Sequence, residues 1–245
     1  ATEASIDLLQ NEPLAMFDTA AEGTRAALAF AAASGTRRFL LTSSGAVYGR
    51  QPPDMTHVPE TYVGGPDIGD PMSAYGEGKR AAEMLCACYR RKYPDLSTVV
   101  ARCFAFVGPI LPLDAHFAIG NFIRDALKGG PIQVGGDGAP YRSYLYAADL
   151  AVWLWTLLFK GEAGVAYNVG SAEDLDIETL ARAVARHAQP PCEINIARPR
   201  TPGAPPSRYV PDVTRISREL KLPPIIGLGD AIARTFAFHR AITPL

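Results

Sequence analysis

The chain has 245 residues, 24 of them basic and 25 acidic, for a net charge of −1 at pH 7. That balance argues against a nucleic-acid or acidic-lipid partner, and the length suits one large domain or two small ones. Charges interrupt every apolar run before it reaches bilayer length, and no charged segment followed by an apolar one opens the chain, so neither a membrane nor a secretory setting is expected.

The four cysteines are Cys86, Cys88, Cys103 and Cys192. Cys86 and Cys88 lie two apart on a predicted helix, point to different sides and cannot form a metal clip. No metal site is expected, and a reduced, cytoplasmic protein is the simplest reading.

In chain order, residues 14–34 read as an alanine-rich helix ending at Gly35. "RRFLLTSS" is a short, continuously apolar strand, the pattern of a strand buried on both faces. Residues 50–72 form a loop rich in proline and glycine, and "SAYGEGKRAAEMLCACYRR" is an amphipathic helix. "LSTVVARCFAF" is a second buried strand, so the spacing implies βαβ units and a parallel sheet. Further on come a helix in "FAIGNFIRDALKGG", one alternating strand in "YRSYLY", an apolar helix in "AADLAVWLWTLLFKG" and a strand in "VAYNVG". "DIETLARAVARHA" is a helix with Asp176 as its N-cap, the proline-rich stretch 197–211 a loop, and Asp230 to Arg240 a final helix.

Tyr75 and Lys79 stand four apart on one helix face. A packed phenol beside a solvated ammonium is the bland reading. The chemical reading is that the ammonium lowers the phenol's pKa until it can move a proton near neutral pH. Context favours chemistry, because "TSSGAVYG" puts Ser43 and Ser44 at the C-terminal end of a parallel strand, where open α/β sheets bind ligands.

The ordered motifs "LLTSSGAVYG", "PMSAYGEGK", "ARCFAFVGP", "GDGAPYRSYLYAADLA" and "YNVGS" resemble the extended short-chain dehydrogenase/reductase family, in its NAD-dependent nucleotide-sugar epimerase/dehydratase branch. The resemblance implies an α/β fold: a partial Rossmann-like parallel sheet with a smaller mixed α/β substrate-binding domain. Residues 1–109 would be the C-terminal part of the NAD(P)-binding domain. Residues 110–245 would be the substrate domain, with part of 131–170 returning to the Rossmann sheet. Tyr75 matches the catalytic tyrosine and Lys79 the lysine that holds the nicotinamide ribose. Ser44 matches the hydroxyl residue that contacts the reacting sugar. Arg142 matches an arginine that pairs with the sugar-nucleotide diphosphate, a task suited to a guanidinium fork. Asp149 matches a structural aspartate, and Asn168 carries no assigned role. A homodimer through helices 14–34 and 73–93 is implied as well.

Three departures bear on the substrate. Ala105 and Ala20 stand where the family usually has asparagine, and "RPRTPGAPPSR" lacks the usual aspartate. The Gly-rich turn that binds the dinucleotide is also missing, as though two or three βα units of about 30 residues each were absent. A start at alanine favours a piece of a longer enzyme, so this chain alone is expected to be inactive. The complete enzyme is expected to use NAD or NADP on a nucleotide-diphosphate sugar. Because Gly45 and Ala46 carry no titratable group, epimerisation is preferred over dehydration. The alternatives are a ketoreductase, a dehydratase, or a non-catalytic sugar-nucleotide-binding module.

Overall fold

The computed structural model describes residues 5–242. Helix α1 (Ile6–Asn11) is capped by the Ser5 hydroxyl, and α2 (Pro13–Ala33) starts on a proline, which needs no N–H partner in the first turn. Strand β1 (Arg38–Ser44) follows, then a long loop, α3 (Ala74–Lys92), β2 (Ser97–Cys103) and the short β3 (Phe106–Val107). Next come α4 (Ala118–Leu127), β4 (Ile132–Val134), β5 (Tyr141–Ser143), β6 (Leu145–Tyr146), α5 (Ala147–Lys160) and β7 (Ala166–Val169). The chain closes with β8 (Asp174–Asp176), α6 (Ile177–Ala185), β9 (Ile194–Ile196), β10 (Arg208–Tyr209), α7 (Thr214–Leu220) and α8 (Leu228–Ile242). No helix among the described residues is long and apolar enough to cross a membrane.

Strands β1, β2 and β7 form one parallel sheet in that order. On β2, Val100 packs toward α2 and α3 with Leu28, Leu41 and Ala82, while Val99 and Ala101 pack toward α5 with Trp153 and Leu157. Burial on both faces is why the strand reads as an unbroken apolar run. A separate core gathers α4, α6 and α8 around Phe122, Ile123, Leu180 and Phe236. Asp176 caps α6, its carboxylate accepting the Thr179 N–H at 2.7 Å.

Two expectations are corrected. "YRSYLY" is two strands, because the path breaks at Tyr144: β5 pairs with β10 and β8, whereas β6 pairs with β3. Alternation in sequence cannot register a change of partner. The proline-rich stretch is also more than a loop, since it ends in β10, parallel to β5 with Tyr209 opposite Arg142.

Candidate active site

Strand β1 ends at Ser44, whose hydroxyl oxygen accepts the Ala46 N–H at 3.1 Å as the chain turns into a short 3-10 segment. Gly45 has no room for a side chain: a Cβ there lies 2.7 Å from the Phe104 ring and 2.8 Å from the Tyr209 hydroxyl. The β1–β2 register sets Ser44 opposite Cys103, so both strands deliver their last residues to one edge. Helix α3 then places Tyr75 in its first turn, with Lys79 and Glu83 at successive four-residue steps on the same face. Gly78 lets α3 close on α2, because a Cβ there meets the Cβ of Ala20 at 2.9 Å.

Ser44, Tyr75 and Arg142 line one cavity of about 550 Å³, with Ala105, Phe104, Phe106, Tyr144 and Tyr209 around them. Three of the four expected site residues therefore converge, although they come from β1, α3 and β5. Lys79 sits behind them. Its ammonium is buried, donates to the Thr42 carbonyl at 3.1 Å and lies 5.7 Å from the centroid of the Tyr75 ring. A larger cavity, about 720 Å³, opens between Phe17, Tyr62, Met84 and Arg102. Its arginines and glutamates are already ion-paired, and none of the four expected site residues lines it.

The electrostatics correct one expectation. Burial pushes the Tyr75 phenol up; the Ser44 hydroxyl opposes this and Cys103 adds to it. The lowering expected from Lys79 does not govern, because that ammonium is held at Thr42 and burial pushes its own pKa down. Burial raises the Cys103 thiol to about 12, which keeps it neutral. Arg142 donates to the Tyr141 carbonyl at 2.7 Å and forms no ion pair among the described residues. By contrast, Arg208 pairs with Asp174 at 2.6 Å and Arg200 with Asp176 at 2.7 Å. Arg142 thus lines the cavity with no carboxylate partner among the described residues.

Sequence reasoning missed Tyr209. Its hydroxyl lies 3.4 Å from Ser44 Oγ and also 3.4 Å from the Cys103 carbonyl, and its ring packs on Phe104 at a centroid distance of 4.6 Å. The residue sits in a two-residue strand behind a proline-rich stretch, a context with no periodic signal. Also unread was a buried relay behind the site. Ser43 donates to Glu83 at 2.6 Å, Arg102 donates to Glu83 at 2.7 Å and to the Tyr48 hydroxyl at 2.9 Å, and Tyr48 donates to Asn168 at 2.8 Å. Asn168 in turn donates to the carbonyls of Val58 and Asp212, at 2.8 and 3.0 Å, tying the sheet to the long loop and the C-terminal segment. Asp149 accepts the N–H groups of Ile225 and Ile226, both at 3.0 Å, a structural clamp.

Residues 1–170 match the family model described as NAD dependent epimerase/dehydratase family. UDP-glucuronic acid decarboxylase 4 of Arabidopsis thaliana is 34% identical over 220 residues, which is 90% of this chain and 48% of that protein. A UDP-glucose 4-epimerase from Thermotoga maritima, solved with UDP-glucose, superposes with a TM-score of 0.87 at 22% identity, over 99% of this chain and 76% of that one. That likeness shows the fold. The UDP-glucose 4-epimerase of Thermus thermophilus, solved with NAD, gives a TM-score of 0.83 at 26% identity, over 99% and 76%. The chain spans about half the length of the curated relatives it matches first.

Proposed function

The chain belongs to the NAD dependent epimerase/dehydratase family, and we propose that its cavity carries the proton-transfer chemistry of a nucleotide-sugar epimerase. The observation that carries this reading is the meeting of Ser44, Tyr75 and the unpaired Arg142 in one aromatic-walled cavity.

The residues present fit the nicotinamide half of the cofactor. The Lys79 ammonium has three N–H donors and, among the described residues, one acceptor, the Thr42 carbonyl, which leaves two donors for ribose hydroxyls in a buried spot. Tyr75 would share that ribose. NAD or NADP, when bound, would supply the hydride acceptor and, in its oxidised form, a positive charge that favours the Tyr75 phenolate against the push of burial. Tyr75, as the phenolate, would take the proton of a sugar carbinol as the carbinol is oxidised to a ketone. Ser44 holds the same hydroxyl in line, and Arg142 pairs with the diphosphate. The Phe104, Phe106 and Tyr144 walls keep water from the keto-sugar. Tyr75 would give the proton back as the ketone is reduced on its opposite face, and the carbinol would then be inverted. With a reduced cofactor supplied, the same residues would serve a ketoreductase.

Dehydration is disfavoured by two residues. Gly45 and Ala46 offer no acid or base, and the space at Gly45 is filled by Phe104 and Tyr209. A second reading, decarboxylation of a nucleotide-uronate, is favoured by the 34% identity to a UDP-glucuronic acid decarboxylase. It shares the first step, since a ketone β to the carboxylate drains the breaking C–C bond and releases carbon dioxide. Product analysis separates these outcomes. The enzyme with NAD⁺, given UDP-glucose and UDP-glucuronate in turn, should yield the 4-epimer of the sugar offered. Release of carbon dioxide from the uronate alone overturns the epimerase reading.

We also propose self-association through α2 and α3. The support is their exposed apolar residues Leu14, Phe30 and Met84. Light scattering should report a dimer at micromolar concentration, and a monomer there contradicts it.

A further inference from the structure

A serine hydroxyl has one proton to give and two lone pairs to fill. At Ser44, one lone pair takes the Ala46 N–H at 3.1 Å, and the Tyr209 hydroxyl lies 3.4 Å from the same oxygen. Tyr209 has a single proton and two acceptors at equal distance, Ser44 Oγ and the Cys103 carbonyl, each 3.4 Å away. Nothing else about its placement is loose. Its backbone is paired with β5 opposite Arg142, its ring rests on Phe104, and Gly45 is bare where its hydroxyl sits.

We propose that Tyr209 is a positioning residue: by donating to Ser44 Oγ it fills the second lone pair and commits the serine's own proton to the Tyr75 oxygen. This rests on the role proposed above for Tyr75 and on Ser44 lining the same cavity as Tyr75, where its hydroxyl opposes the push of burial on the phenol. When Tyr75 loses its proton, the phenolate draws the Ser44 proton, Ser44 Oγ becomes a better acceptor, and Tyr209 turns from the Cys103 carbonyl to the serine. When Tyr75 is protonated, or when a bound sugar hydroxyl takes that lone pair of Ser44, Tyr209 is free to turn back to the Cys103 carbonyl. The C-terminal segment that carries Tyr209 thereby acts on the reacting phenol without touching it.

The other titratable and charged groups around Tyr75 stay in place in the test. They are Lys79 on its own helix and Cys103 at the end of β2, with Arg142, Tyr144 and the rim residue His116 across the cavity. Tyrosine labelled at Cζ with carbon-13 reports each phenol's ionisation by NMR, and Tyr75→Phe assigns the resonance of interest. In Tyr209→Phe, which keeps the ring and its packing, the Tyr75 midpoint should rise by about one pH unit, the worth of one hydrogen bond to a charged group. In a Ser44→Ala background, adding Tyr209→Phe should leave that midpoint where it is, because the route through the serine is gone. Far-UV circular dichroism checks that each variant is folded. An unmoved midpoint in Tyr209→Phe overturns the proposal. So does an equal rise with and without Ser44, which would mean direct action of Tyr209 on Tyr75. The reaction proposed above stands or falls separately, on turnover and products.

Discussion

Lys79 on α3 reaches back to the Thr42 carbonyl on β1 at 3.1 Å and makes no hydrogen bond to the Tyr75 hydroxyl one turn before it. The bond ties the helix to the strand it must face, and it parks a cation where burial disfavours charge. Lys79→Met should therefore leave the denaturation midpoint unchanged or higher, since a buried ammonium with one partner costs stability. Turnover of the NAD-loaded enzyme should collapse in the same variant. A clear fall in the midpoint would make Lys79 a structural residue first.

Gly45 marks the tightest point of the site. Gly45→Ala places a methyl 2.7 Å from the Phe104 ring and 2.8 Å from the Tyr209 hydroxyl, so both must move. Overpacking of this kind should cost about 1–3 kcal/mol in chemical denaturation. Binding of a nucleotide sugar should weaken with it, because Phe104 and Tyr209 wall the cavity.

Alkaline stability follows from buried thiols and phenols. Cys86 and Cys103 are raised by burial from 9.0 to about 12, and Tyr75 is raised from 10.0. A folded state that keeps its protons longer has this stability in full below the unfolded pKa and loses it as pH rises through the folded one. Stability should thus fall from pH 9 toward 12, by about 1.4 kcal/mol per pH unit for each thiol at most. Lys79, lowered from 10.5, works in the opposite sense and offsets only part of it. Urea midpoints across this range test the claim, and Cys103→Ala should flatten the slope.

The parallel sheet, the two long helices beside it and the Ser44–Tyr75–Lys79 constellation were legible in the sequence, because each lies in a long periodic element or an ordered motif. Arg142 was legible only through the resemblance. Tyr209 was not, since β10 has two residues and joins β5 by a pairing across 67 positions, Arg142 to Tyr209. The Ser43–Glu83–Arg102–Tyr48–Asn168 relay was hidden for a related reason. Its members come from five separate segments, and a polar side chain says nothing in sequence about which distant segment will satisfy it. The direction of the Tyr75 shift was misread because spacing on a helix places two side chains side by side but not where a flexible ammonium finds its acceptor.

Dinucleotide binding by these 245 residues alone should be weak. Among the described residues no Gly-rich turn offers N–H groups to a pyrophosphate, and Lys79, Tyr75 and neighbouring backbone are left to hold the nicotinamide half. Losing several charge-assisted hydrogen bonds at about 1.5–3 kcal/mol each moves a micromolar site toward millimolar. Calorimetric titration with NAD⁺ and NADP⁺ checks this, and a low-micromolar dissociation constant would reveal a cofactor site elsewhere in the chain.

The claim that Tyr75 moves the carbinol proton is tested most directly by a single turnover of a nucleotide sugar at saturating NAD⁺, followed by the absorbance of reduced nicotinamide. Tyr75→Phe should still bind the sugar nucleotide but form reduced cofactor about 10²–10⁴-fold more slowly. Reduction at the unaltered rate in Tyr75→Phe would contradict it.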